Sequence, residues 1–299
     1  MRIVPATRHN PALSRVIGTL DFRGSGTNHP LHDVNPFMLF DEGSLMTKAG
    51  IPPFGLHPHS GAFIVTICLS GNVEYITIKN GKKDVKVLGP GPFLAAVDTG
   101  FGLVHDEHTH TADPCKLFQL IWMTADNKSD AAMMHVEKPL FIHEENGTNI
   151  MLCAGSFRGK DSGITCRQVP SVTVLYITIP PGSTFETDEF CEGNTFIYNT
   201  VENDEKASLY VNEEKVPVAN IAVISMEENA NQLKLTNKGD SEIGALVGYG
   251  KPINPIWTKL LMGNGFIFAK SEEEALKKEE YFKKVGIYKF GQKDSCVIS

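Results

Sequence analysis

The sequence predicts an all-β protein made of two similar strand-rich halves and one closing helix, and three observations predict it. From Phe63 onward, short apolar runs of strand length are cut by turn residues. The same pattern resumes after a mixed stretch at 125–139, ADNKSDAAMMHVEKP. Only the segment from Ser271 carries the composition of a solvent-facing helix.

The first half reads FIVTICL, the turn GN, VEYITI, the turn KNGK, DVKVL, the turn GPGP, FLAAV and then KLFQLIWM, which is a meander of short strands. The second half reads NIMLCAG, VTVLYITI, the turn PPGS, NTFIYNTV, ASLYV, NIAVISM, NQLKLT and IGALVGYG. Both halves place a proline-led turn before paired strands, so one sandwich or barrel is expected twice, over residues 1–145 and 146–299. In SEEEALKKEEYFKKVGIY, Ser271 is a good N-cap and three acids follow in the first turn, where they oppose the helix dipole. Its charges read as a solvated face.

Composition narrows the function. A chain of 299 residues with 41 % apolar side chains can bury two cores. The formal charge of −7 and the absence of a long basic run argue against direct nucleic-acid binding. The start, MRIVPATRHN, has no apolar signal core and no run of transmembrane length follows, so a cytoplasmic location is expected. A monomer is expected. Six cysteines without a C-x-x-C pair read as reduced, mostly buried thiols.

The chemistry concentrates in two short pairs. In GLHPHSGAF, His57 and His59 are i and i+2, and in an extended strand both imidazoles point to one face. In GFGLVHDEHTH, His105 and Glu107 repeat that spacing. Three imidazoles and one carboxylate on adjacent strands make a nitrogen and oxygen site with open positions. Such a set suits Fe(II), Mn, Ni or Cu better than a closed structural zinc site rich in sulfur, although Zn also binds such donors. All ten histidines precede residue 144. The second half therefore has no imidazole to offer, and its STFETDEF segment supplies only Glu186, Asp188 and Glu189, so that half is expected to hold no metal. His108 is out of phase with His105, and His29, His32 and His110 read as loop or rim positions. Phe54, Phe63, Phe101, Phe118 and Trp122 are the aromatics that could line an apolar substrate pocket beside the metal.

The segments DVNPFMLFDEG, PPFGLHPHSGAFIVTICLSGNVEY, GPGPFLAAVDTGFGLVHDEH, FQLIWM and LVGYGKPINPI resemble, in the same order, those of the pirin family in the cupin superfamily. The resemblance implies two jelly-roll cupin barrels face to face. It also implies one metal, usually iron, in the first barrel, with ligands at His57, His59, His105 and Glu107. It further implies oxygen-dependent opening of quercetin-like flavonols, with dioxygen and a small aromatic as reactants and Glu107 as ligand and proton acceptor. The other implied role is a nuclear, iron- and redox-dependent coregulator that binds a transcription factor without turnover. The chain departs from the usual H-P-H-R-G-F-E at two positions, where Ser60 replaces the arginine and Phe63 the acid. A charged pair expected to orient the centre is thereby lost.

The sequence closes on KDSCVIS, in which Cys296 is followed by two aliphatics and Ser299, the pattern of a farnesylation box. One prenyl chain beside a few diluted lysines would give weak, reversible membrane association.

Overall fold

The computed structural model describes residues 1–5, 7–10, 14–17, 34–45, 55–79, 81–109, 115–124, 128–169, 171–200, 207–228, 232–253, 257–261 and 265–284. Strands dominate, and they form two compact units, each a pair of sheets around its own core.

One unit comprises Met1–Thr7, Asn28–Met38 and Pro139–Ile253. Its larger sheet has seven strands, ordered Arg2–Pro5, Asn220–Ile224, Asn194–Asn199, Ile243–Gly250, Thr173–Ile179, Asn149–Ala154 and Leu140–His143. Its smaller sheet has four, ordered Thr184–Thr187, Leu233–Asn237, Leu209–Val211 and Glu214–Val216. Along Thr173–Ile179 the inward positions Leu175, Ile177 and Ile179 meet Phe185, Leu209 and Leu235 of the smaller sheet in one apolar cluster. The interior of this unit is thus filled by hydrocarbon, as the period-two alternation of its strands demands.

The other unit comprises Arg8–Thr27, Leu39–Lys138 and Asn254–Ser299. One sheet has six strands, ordered Trp257–Leu261, Gly265–Ala269, His57–Ser60, Leu103–Thr109, Val73–Lys79 and Lys82–Leu88. The second has seven, ordered Ala132–Val136, Phe93–Asp98, Ala62–Ser70, Cys115–Met123, Phe37–Leu45, Ser14–Ile17 and Thr7–Asn10.

Chain order and spatial grouping differ at both ends. Strand Arg2–Pro5 pairs with Asn220–Ile224, and strand Gly265–Ala269 pairs in parallel with His57–Ser60, with Phe266 opposite His59. A division drawn at residue 145 therefore assigns each end of the chain to the half with which it does not pair. Hydrogen bonding across a sheet edge overrides neighbourhood in sequence, and composition carries no mark of it.

The helix spans Glu272–Lys284. Ser271 Oγ accepts from the Glu274 N–H at 3.3 Å, and the Glu274 carboxylate reaches back to accept from the Lys270 N–H at 2.7 Å. This is a close variant of the capping box. Ala275, Lys278 and Phe282 are its buried face, packed toward strand Gly265–Ala269. Lys278 corrects the reading of a wholly solvated polar face: its ammonium is buried and donates to Phe268 O at 2.7 Å.

Gly61 joins the histidine strand to Ala62–Ser70. Its φ is +68°, its N–H donates to Gly100 O at 2.9 Å, and its carbonyl accepts from the Thr124 N–H at 2.8 Å. A Cβ there would stand 2.5 Å from Phe268 O, which is fixed backbone. We expect Gly61→Ala to destabilise the protein by roughly 2–3 kcal/mol, from left-handed strain plus this clash, measured as a lower urea midpoint.

Candidate metal centre

The strand pleat builds the centre. His57 and His59 share a face, and the neighbouring antiparallel strand sets His105 opposite His57. The ring centroids lie 4.7 Å (His57 to His59), 4.6 Å (His57 to His105) and 4.8 Å (His59 to His105) apart. One nitrogen from each ring falls within 4.8 Å of the others, so small ring rotations bring all three to one ion at metal–nitrogen distances of about 2.0–2.1 Å. Among the described residues this is the one cluster of three or more such donors.

Glu107 stands beside the three rings. Its Oε2 lies 3.0 Å from His105 Nδ1, out of line for a hydrogen bond, and its Oε1 accepts from Gln119 Nε2 on strand Cys115–Met123. His57 Nδ1 donates to Gly55 O at 2.7 Å, which fixes its tautomer and leaves Nε2 as a lone-pair donor. His59 Nδ1, both His105 nitrogens and Glu107 Oε2 are buried without a hydrogen-bond partner. Orphaned polar atoms are costly in an interior. Three nitrogens and a carboxylate oxygen left so together fit a divalent cation, and the set contains no sulfur.

Burial sets the protonation states. It is the largest influence on His57, with the His105 ring adding to it, and together they lower His57 to about 4. Burial, then His57 and His105, hold His59 well below the usual imidazole range. For Glu107 burial acts upward, but the His105 ring, His57 and Gln119 outweigh it and bring the carboxyl to about 2. Neutral imidazoles beside a carboxylate are the forms that bind metal. Burial and then the Glu107 charge raise Asp41 to about 7.

A cleft of about 380 Å³ opens in this unit, lined by Thr77, Leu103 and Met133, with Lys79, Lys82 and Asp84 among its polar groups. Thr77 is the cross-strand partner of His105 and Leu103 that of His59, so both share the histidines' face of the sheet.

Among the described residues, the expected pocket aromatics lie elsewhere. Gln119 faces the centre, and period two turns Phe118 and Trp122 to the opposite face of their strand. Phe118 stacks on Phe40 at 5.8 Å, and Phe63, opposite Trp122, stacks on it at 4.8 Å, all buried as core. Phe101 meets Tyr281 of the helix edge-on at 5.3 Å. Position 63 is therefore part of the core packing with Trp122. Ser60 is buried and donates to Phe101 O. Phe54, His29, His32, His110 and Cys296 lie outside the described residues. His108 pairs with Glu74 at 3.5 Å, away from the cluster. In the other unit, Glu186 meets Lys234 at 3.7 Å and Glu189 accepts from the Arg158 N–H at 3.1 Å.

Gln119, Asp41, Thr77 and Leu103 were not singled out in the sequence. Gln119 had a signal: it is the one polar residue inside the apolar run LFQLIWM.

Residues 19–123 match the pirin family model. Over that stretch the chain is similar to pirins. That stretch contains His57, His59, His105 and Glu107. A pirin-like protein of Solanum lycopersicum is 26 % identical over 230 residues, covering 75 % of this chain and 73 % of its own length. Among solved structures, a quercetin 2,3-dioxygenase from Acinetobacter baumannii superposes with a TM-score of 0.75 at 17 % identity over 97 % of each chain. A bacterial pirin, YhhW from Escherichia coli in complex with nickel(II), superposes with a TM-score of 0.60 at 16 % identity, over 84 % of this chain and all of that one. The matched stretch thus lies within a chain whose two-unit fold is like that of these cupin-type structures.

Protonation of the cluster is measurable in metal-free protein. His57 falls from 6.5 to about 4 on folding, so between these values the unfolded chain binds more protons and stability falls as pH is lowered. Asp41 acts in the opposite sense: raised from 3.8 to about 7, it lets the folded chain hold a proton, so stability falls as pH rises through that range. A differential isolates His57. The Tm advantage of wild type over His57→Gln should shrink steadily from pH 6.5 to pH 4, and a pH-independent difference would contradict the burial argument.

Proposed function

We propose that the chain is a pirin-like mononuclear non-haem metal dioxygenase, with iron(II) as its ion and an enolisable, flavonol-like aromatic as its substrate. The observation that carries the reading is the set of buried, hydrogen-bond-orphaned donors on His59, His105 and Glu107, completed by His57 Nε2, beside a cleft open to solvent. The resemblance of the pirin segments and the likeness to a quercetin dioxygenase support it.

His57, His59, His105 and Glu107 would hold the ion. When bound, such an ion supplies Lewis acidity and one-electron chemistry with dioxygen. The chain's own residues do the rest. Gln119 anchors Glu107 Oε1 and so aims Oε2 inward. Glu107 is ionised at neutral pH, and Oε2 accepts the proton of the substrate's enolic hydroxyl. Leu103 and Met133 take the apolar body of the substrate, and Lys79 and Lys82 at the cleft attract its anionic form. The buried cross-strand walls keep bulk water from the reacting oxygen.

Metal analysis and oxygen uptake test the two parts separately. Purified protein should hold about one metal per chain, and His59→Ala should lower its metal affinity by about 10-fold or more. Full occupancy in that variant would overturn the ligand set. Metal-replete wild type should consume dioxygen with quercetin, and Glu107→Gln should lower kcat by about 10²-fold or more. Absence of uptake across a panel of flavonols and enols by fully loaded protein would overturn the reaction.

A further inference from the structure

We infer that Cys68 and Cys115 are a peroxide-responsive dithiol that closes to a disulfide inside the metal-bearing unit. The inference is independent of the metal reading. Nothing in the sequence pairs these residues, but the fold sets their Sγ atoms 3.3 Å apart, both fully buried. Leu117 lies opposite Cys68, and Cys115, two residues before Leu117, shares its face. The register slips between Lys116 and Leu117, and such an irregularity sharpens the local twist. Both sulfurs then enter one apolar cluster with Val73, Tyr75, Leu88, Phe93 and Leu117.

A disulfide bond is about 2.05 Å long, so closure asks for an approach of a little over 1 Å, shared between two side-chain rotations. No strand has to change partner. The remaining described cysteines are placed differently: Cys153 donates to Met151 O at 3.3 Å, Cys166 to Gln168 Oε1 at 3.5 Å and Cys191 to Asp188 O at 2.6 Å.

The two sulfurs are not equivalent. Burial works against either thiolate, but the Cys68 thiol can donate to Cys115 Sγ and so favours the anion there, which lowers Cys115 and raises Cys68. Cys68 Sγ also lies 3.2 Å from Ser70 O, an acceptor for its proton. Cys115 is accordingly the sulfur that is attacked second and oxidised first. Its thiolate attacks one oxygen of hydrogen peroxide, the O–O bond breaks, and hydroxide leaves to become water with the thiol's proton. The resulting sulfenic acid is attacked by the Cys68 sulfur, the S–S bond forms, and a second water departs with the Cys68 proton. Two thiols lose two electrons and one peroxide gains them. Depth is modest, because the strand becomes half-buried at Leu69 and exposed at Ser70.

The test uses the full chain, treated with hydrogen peroxide in the presence of a chelator, then denatured in an alkylating reagent and mapped by mass spectrometry without reduction. We expect one cross-linked species joining the peptides of Cys68 and Cys115, lighter by two hydrogens than the separate thiols and restored by dithiothreitol. Cys68→Ser and Cys115→Ser should each abolish it. Cys191→Ser, a conservative change away from the pair, should leave it intact. Recovery of Cys68 and Cys115 as alkylated thiols while other cysteines are oxidised would overturn the inference. So would their recovery as separate sulfinic or sulfonic acids, because both results mean that the sulfurs do not react with each other.

Discussion

Water is kept from three imidazoles and a carboxylate, and that exclusion is the constraint to which the histidine-bearing unit answers. Each ring would be hydrated and half-protonated near neutral pH if it stood on a surface. Inside the sheet pair, desolvation strips the proton from His57 and His59, while the carboxylate is kept ionised by the rings around it. The arrangement costs stability in the absence of an ion, since orphaned donors face each other across less than 5 Å. Neighbouring elements hold that unfavourable packing in place: Gly55 O on His57, Gln119 on Glu107, and Phe266 against His59 at 4.0 Å.

The two units show what one architecture does with different inward-facing residues. In the unit built mainly from Pro139–Ile253, inward positions are leucine, isoleucine and phenylalanine, and the space between its sheets is closed by dispersion contacts and apolar burial. In the other, a few inward positions are imidazole, carboxylate and carboxamide, and the hydrocarbon cluster around Tyr75 and Phe93 lies beyond them. Function here is a matter of which side chains a pleat turns inward, with the strand framework common to both.

Much of this was legible from residues alone, and the reason is periodicity. His57 with His59, and His105 with Glu107, announce a shared face because a strand repeats every two residues. The all-β class and the capped helix at Ser271 follow from equally local signals. What stayed hidden depends on partners distant in sequence. The pairing of Phe266 with His59 leaves no mark on either segment. Lys278 looks like one more solvated lysine until its ammonium is found on Phe268 O. Phe63, Phe118 and Trp122 are near the ligands in sequence but one pleat out of phase, and an aromatic residue carries no sign of which face it will take. Cys68 and Cys115 became a pair only once two strands had been aligned.

The parallel pairing of Gly265–Ala269 with His57–Ser60 has a consequence for how the molecule is made. On a ribosome, the strand bearing two of the histidines emerges long before Gly265–Ala269, and until then it lacks one of its flanking neighbours. The half-built sheet must wait with an unpaired edge, a state exposed to wrong pairing. The edge of the histidine-bearing sheet is therefore completed by a segment about two hundred residues downstream of it. A nascent chain stalled before residue 265 would lack the strand that completes the edge of that sheet.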